Sequence, residues 1–293
     1  MTGVPLRLRL SRALETAAAY LFYGLCALLP LETASSFGGW LARKVFKRSR
    51  PTRTALANLA LAFPDKTDAE RRAIVDGMWD NLGRVAAEYP HLHKITPLIE
   101  LVGREHLDAV RASGQGAIFF GGHIGNWEIG PLASRLAGMP LQVVYRRPNN
   151  PGVDGLLRHA RGKGADGSIP KGHDGARAIL KQLKSGGSVG MLVDQKLNEG
   201  LAIPFFGQPA MTAPAIALFA HLRGYALHPI RIERLRGTQF RVTIHPALPV
   251  DRQAEKAAEV ERVMTAVNRL LEGWIRERPE QWLWIHRRWP RST

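Results

Sequence analysis

A single cysteine in 293 residues, Cys26, leaves no partner for an intrachain disulfide and no thiolate cluster for a metal. Acidic residues are also in short supply: 25 Asp and Glu face 41 Lys and Arg, a formal net charge of +16. That excess attracts anionic surfaces wherever it clusters, which leaves nucleic acid, anionic membrane and acidic proteins to weigh as partners. A charge-only role on nucleic acid needs aromatics gathered on a basic sheet face, and the sequence has no such pattern, so nucleic acid is not expected. Internal repeats and low-complexity tracts are absent. His91 and His93, in PHLHK, have no Cys or carboxylate directly beside them and read as loop residues, so neither a metal nor a cofactor is expected.

No apolar run reaches the roughly 20 residues that cross a bilayer. One uncharged stretch near the start, TAAAYLFYGLCALLPL, spans the sixteen residues between Glu15 and Glu32 and is broken by Pro30. Arg7, Arg9 and Arg12 precede it; Arg43, Lys44, Lys47, Arg48 and Arg50 follow. A short anchor, an interfacial helix, a secretory signal and a buried core helix all compete for this segment. The downstream basic residues oppose translocation of their side, which favours residues 1–50 as a membrane anchor or interfacial helix with residues 51–293 in the cytoplasm.

What is present beyond residue 50 is strongly patterned. TRTALANLALAF and AERRAIVDGMWDNLGRVAAEY carry apolar residues at helical spacing on either side of Pro64-Asp65, a helical collar. From about residue 115 short apolar runs (AIFFG, LQVVY, SVGMLVD) alternate with helical stretches (WEIGPLASRLAG, VDGLLRHARGKG, HDGARAILKQLKSG). That alternation predicts one α/β domain with a mostly parallel sheet flanked by helices. ALHPIRIERL and QFRVTIHPAL around Gly237 predict an antiparallel hairpin, followed by a long helix over RQAEKAAEVERVMTAVNRLLEGWIRERP. Asn198–Pro214 is rich in Gly and Pro and predicts an irregular loop over the sheet end, where open α/β sheets bind ligands.

The chemistry concentrates in FFGGHIGNWEIG at residues 119–130. His123 falls at the carboxyl end of the AIFFG strand, and Gly121, Gly122 and Gly125 let the backbone approach a ligand closely. Five residues turn an ideal helix by about 500°, so Glu128 shares no helical face with His123, but with His123 in the turn the carboxylate can swing back to it. A histidine fixed in one tautomer by a carboxylate can deprotonate a hydroxyl as it attacks a carbonyl, with no enzyme nucleophile. GGSVG at 186–190 matches a hydrolase nucleophile elbow, but the helix precedes Ser188 and the strand follows, the reverse of what an elbow requires.

Eight blocks in order, the N-terminal apolar segment with NLALAFP, MWDNLGRVAAEYP, HIGNWE, YRRPNNP, MLVDQK, PFFGQPAMTAPA and QWLWIHRRW, resemble the late acyltransferases of lipid A biosynthesis, the lauroyl and myristoyl transferases of Gram-negative bacteria. The chain departs from that pattern at Leu197–Leu201. The resemblance implies a glycerolipid-acyltransferase-like fold and transfer of a fatty acyl chain from an acyl carrier protein to a hydroxyl of a lipid A precursor. It places the reaction at the cytoplasmic face of the inner membrane, with His123 as general base and Glu128 orienting it. Gly122, Asn126, Arg146, Asn149, Asp194, Gln195 and Phe206 become candidate substrate-binding residues. Arg146 and Arg147 could hold a lipid phosphate or the thioester oxygen, or be solvated edge residues; Asp194 and Gln195 could order the pocket, or Asp194 only cap a turn. Phe205 and Phe206 could wall an acyl groove or be core aromatics. Trp282, Trp284 and Trp289 with Arg287 and Arg288 suit a membrane interface or a glycolipid, or form a core edge. The rivals are an acyltransferase acting on a glycerolipid, mannolipid or ornithine lipid, and a basic binding protein.

Overall fold

The computed structural model describes residues 5–145, 147–161, 168–170 and 173–289. The chain opens with α1 (Leu6–Leu28), which stops just short of Pro30; the proline then serves as N-cap of α2 (Leu31–Phe46). Ser49, whose hydroxyl accepts from the Thr52 amide, starts α3 (Arg50–Ala62). Past Pro64, a reciprocal capping box between Thr67 and Glu70 starts α4 (Asp68–Glu88). The expected helical collar is therefore these two helices. α2 lies along α4 at a glycine contact, where a Cβ on Gly38 or on Gly83 would collide with the other's carbonyl oxygen. Among the described residues no helix is long and apolar enough to cross a membrane.

A short helix α5 (Leu92–Ile95) and strand β1 (Ile99–Val102) lead through α6 (Arg104–Ser113) into β2 (Ile118–Gly121). Then follow α7 (Gly130–Leu136), β3 (Leu141–Tyr145), α8 (Pro151–Arg161), β4 (Ser168–Pro170), α9 (His173–Lys184) and β5 (Ser188–Leu192). Two strands, β6 (Lys196–Phe205) and β7 (Gln208–Thr212), form a small antiparallel sheet. Helix α10 (Ala215–Arg223), the hairpin β8 (Leu227–Arg236) and β9 (Gln239–Ile244), and the long α11 (Lys256–Glu277) complete the fold.

Among the described residues the main sheet has seven strands in the order β1-β9-β8-β2-β5-β3-β4, parallel throughout except at the β8–β9 hairpin. Its centre is β2, all four residues of which are buried, as a strand covered on both faces requires. Alternate side chains serve opposite layers: Ile118 and Phe120 join the core with α11 and the C-terminal tryptophans, and Phe119 joins the core with α6 and α7. Ser188 begins β5 after α9 and accepts a hydrogen bond from the Ala117 amide at 3.1 Å, so it is a buried strand-edge residue rather than an elbow.

The irregular loop expected over Asn198–Pro214 is instead the β6–β7 hairpin. Phe206 and Gly207, with φ of 51° and 71°, make its two-residue turn. Pro204 and Pro209 pair directly opposite each other one step from that turn. In an antiparallel ladder that step needs no N–H from either residue, so both prolines are tolerated.

The α2–α4 contact yields a prediction. Gly83→Val should cost about 2 kcal/mol or more through overpacking, whereas Gly24→Ala, with nothing within 4 Å of its added Cβ, should be neutral or gain up to about 1 kcal/mol. Denaturant titration of both variants distinguishes the two outcomes.

Candidate active site

Beyond β2 the chain runs through a tight loop fixed from three sides. The Gly125 amide donates to the Gln281 carbonyl at 3.0 Å and the Leu283 amide to the His123 carbonyl at 3.1 Å, so the loop pairs with the C-terminal segment. The Asn81 side chain from α4 donates to the Gly125 carbonyl at 2.9 Å. Asn126, fully buried, donates to Glu88 at 2.8 Å and accepts from the Glu128 amide at 3.1 Å, which starts a 3-10 turn over Trp127–Ile129. Two glycines are sterically required here: a Cβ on Gly125, at φ 61°, would lie 2.7 Å from the Ile232 carbonyl oxygen, and one on Gly121 would lie 2.7 Å from that of Ile230, whereas one on Gly122 would press on the Asp194 carboxylate at 3.2 Å.

Asp194 follows β5, the parallel neighbour of β2, and so reaches the same sheet edge. Its Oδ1 accepts from His123 Nδ1 at 2.7 Å; its Oδ2 accepts from the His123 amide at 2.7 Å and from Trp282 Nε1 at 2.8 Å. Burial pushes this carboxyl up, but attraction to His123 and the three N–H donors outweigh burial and hold it well below the usual carboxylate range. Its folded pKa thus lies below its unfolded one; the stability it contributes is complete above the ordinary carboxylate range and is lost as pH falls toward the folded value. Arg288 lies fully buried nearby and donates to the Met211 carbonyl and Thr212 hydroxyl at 3.0 and 2.7 Å; burial lowers it to about 10 against the pull of Asp194.

With Nδ1–H given to Asp194, the second ring nitrogen of His123 carries the lone pair. The Gln195 amide nitrogen lies 3.3 Å from it and 3.2 Å from His286 Nε2. Trp127 packs edge-on to the imidazole, with ring centres 5.1 Å apart. An imidazole so arranged can act as a base, with its proton acceptor facing a cavity and a carboxylate behind it to stabilise the conjugate acid.

The expected pairing of Glu128 with His123 is corrected by the structure. The 3-10 turn after Asn126 directs Glu128 to the end of α8, where Arg161 donates to both its carboxylate oxygens at 2.7 and 2.8 Å. Asp194 occupies the place beside His123 that the sequence reading gave to Glu128. Burial opposes the charge on Arg161, and the hydrogen bonds to Glu128 outweigh it and raise the guanidinium above its ordinary value.

Two cavities meet at Gln195. One, of about 230 Å³, has His123, Gly122, Trp127 and the Glu128–Arg161 pair at its polar end and residues such as Leu132, Val143 and Ile230 along its walls. The other, of about 370 Å³, is polar and lined by Arg147, Asn149, Lys196, His286 and Arg287 besides Gln195. Gly122, Glu128, Asn149 and Gln195 line these cavities. Asn126 is buried beneath the loop. Phe206 lines neither cavity; it packs against Phe63 and Trp284 at 5.4 and 6.1 Å between ring centres, in the core that also takes Trp282 and Trp289. Arg146 lies outside the described residues. The sequence reading missed Arg161, His286 and the buried Glu88–Arg234 pair behind the loop, though charges inside the apolar runs RVAAEY and IRIERL were a usable signal for the last.

Comparison with known proteins gives one consistent result. The family described as bacterial lipid A biosynthesis acyltransferase matches residues 5–291. A lipid A biosynthesis acyltransferase of Haemophilus influenzae is 25% identical over 277 residues, 90% of this chain and 84% of its own length. The lipid A biosynthesis myristoyltransferase of Escherichia coli is 28% identical over 84% of this chain and 77% of its own, and the lauroyltransferase of the same organism 27% over 85% and 82%.

Asp194→Asn should leave the fold intact by circular dichroism yet reduce kcat by about 10³- to 10⁴-fold, since an amide cannot hold the imidazole in the same tautomer or stabilise its cation. A variant with near-normal turnover would remove Asp194 from the base.

Proposed function

Because this chain belongs to the bacterial lipid A biosynthesis acyltransferase family, we propose that it transfers a fatty acyl chain from an acyl carrier protein thioester to a hydroxyl of a lipid A precursor. The observation that carries the reading is the His123–Asp194 pair at the mouth of an apolar cavity. The acyl chain lies in that cavity, with the thioester carbonyl at His123. The acceptor hydroxyl displaces the Gln195 amide from His123 Nε2, gives its proton to that nitrogen and attacks the carbonyl carbon. Asp194 stabilises the imidazolium. Collapse of the tetrahedral adduct breaks the carbon–sulfur bond, and the imidazolium returns the proton to the departing thiolate. Glu128 acts in this scheme as a positioning residue: it fixes Arg161 at the cavity wall rather than touching the imidazole.

On this reading the enzyme works at the inner membrane, with the catalytic domain on the cytoplasmic face. Leu14, Leu21, Leu25 and Leu28 lie exposed on α1 at helical spacing, and Trp40 and Phe46 are exposed on α2. With Arg7, Arg9 and Arg12 they suit a helix lying in the surface of an anionic membrane. The net charge also favours encounter with an acidic carrier protein.

Two measurements test these statements. Wild type incubated with carrier-protein thioesters and a tetra-acylated lipid A precursor should add one acyl group by mass spectrometry, and His123→Ala should lower the rate at least about 10²-fold. Equal rates sink the mechanism, and no product with this acceptor but product with a glycerolipid would move the substrate assignment. In vesicle flotation, wild type should rise with anionic liposomes, and the triple variant Leu14→Glu, Leu21→Glu, Leu28→Glu should stay below. If both float alike, α1 is not the membrane contact.

A further inference from the structure

Arg147, Lys196 and Arg287 line the polar cavity beside His123, yet none of the three makes a hydrogen bond or ion pair with a carboxylate among the described residues. Surface cations ordinarily escape one another into solvent; here their segments are tied down so that they cannot diverge freely. The loop carrying Arg147 is pinned by Asn150, a buried residue whose amide donates to the Arg12 carbonyl at 2.8 Å and whose oxygen accepts from the Thr16 hydroxyl at 3.0 Å. Lys196 opens β6 directly after Asp194 and Gln195. Arg287 follows His286, whose carbonyl, with that of Trp284, accepts from Asn58 at 2.6 and 2.7 Å. Three separately anchored elements thus converge positive charge on one concave mouth, with neutral donors at Asn149 and Gln195 among them.

We propose that this cavity is a phosphate subsite, which holds a phosphate ester of one of the two substrates while its reacting end lies at His123. The proposal rests on the acyltransferase reading above. Guanidinium groups match phosphate oxygens in a bidentate manner and an ammonium adds a point charge, which is the donor set a phosphate ester selects. The site also sits one side chain from the chemistry, because Gln195 spans from His286 at the cavity to His123. Two substrates can supply such a group: the phosphorylated glycolipid acceptor, or the phosphopantetheine arm of the carrier-bound donor.

The test uses full-length protein and the triple variant Arg147→Gln, Lys196→Gln, Arg287→Gln. Direct binding comes first, by calorimetry at low salt with glucosamine 1-phosphate, pantetheine 4′-phosphate and their phosphate-free forms at millimolar concentration. At least one phosphorylated probe should bind wild type about 10-fold or more tightly than its phosphate-free form, and the variant should lose that margin. Equal binding of phosphorylated and phosphate-free probes to wild type, or of the phosphorylated probe to wild type and variant, overturns the proposal. Kinetics then assign the source. A KM that rises about 10-fold or more for the acceptor, and no longer for a dephosphorylated acceptor, assigns the glycolipid phosphate. A rise confined to the carrier-bound donor, and absent for a short thioester lacking phosphate, assigns the pantetheine arm. Failure of wild type to acylate any acceptor sinks the functional reading alone, because the binding measurement still decides the subsite.

Discussion

Glu88 is fully buried, and the position of the loop that carries His123 depends on it. Its carboxylate accepts from Ser35 of α2 at 2.7 Å, from Asn126 of the loop at 2.8 Å, and twice from Arg234 of β8 at 2.5 and 3.0 Å. Arg234 in turn donates to Asn81, which holds the Gly125 carbonyl. A buried ion pair is stabilising over its desolvation cost only when every oxygen and proton finds a partner. Here the partners come from two N-terminal helices, the sheet and the loop at once. Removing one member leaves an uncompensated charge at a cost of about 3–5 kcal/mol, so the helices before the sheet are part of the scaffold that aims His123.

The active-site loop shows how such a frame is converted into chemistry. Its backbone is fixed by hydrogen bonds from α4, from the C-terminal segment and from Asp194 itself, which leaves the imidazole little freedom beyond its own ring. Asp194 binds both the amide and the ring of His123, and one carboxylate thereby sets backbone position, tautomer and charge. Glu128 leaves the same loop but turns to Arg161 at the end of α8, so Asp194 and Glu128 have different partners.

Periodicity made the sheet and helices legible in the sequence: AIFFG as a buried strand, His123 at its carboxyl end, and the hairpin around Gly237 all follow from local pattern. What remained illegible was set by distance along the chain or by turn geometry. Nothing local indicates that Asp194, 71 residues beyond His123, arrives at its Nδ1 because β5 happens to be the neighbour of β2. Glu128, off the helical face of His123 by spacing, is expected to swing back to it from the turn, and a single 3-10 turn directs it to Arg161 instead. Pro204 and Pro209 read as strand breakers, yet face each other where the ladder asks nothing of their missing N–H groups. Phe206 could be read as a groove wall or as a core aromatic, and it is a turn residue folded back into a tryptophan-rich core.

The clamp from α1 to Asn150 joins two surfaces of unlike character. One side of the helix presents leucines outward, while Arg12 and Thr16 grip the loop that carries Arg147 and Asn149 to the polar cavity. A Cβ on Gly152, in the first turn of α8, would strike Thr16, so helix and loop meet without slack. A tilt of α1 that keeps these contacts would carry the rim of the polar cavity with it, so the outer face of the helix and that rim share one set of constraints.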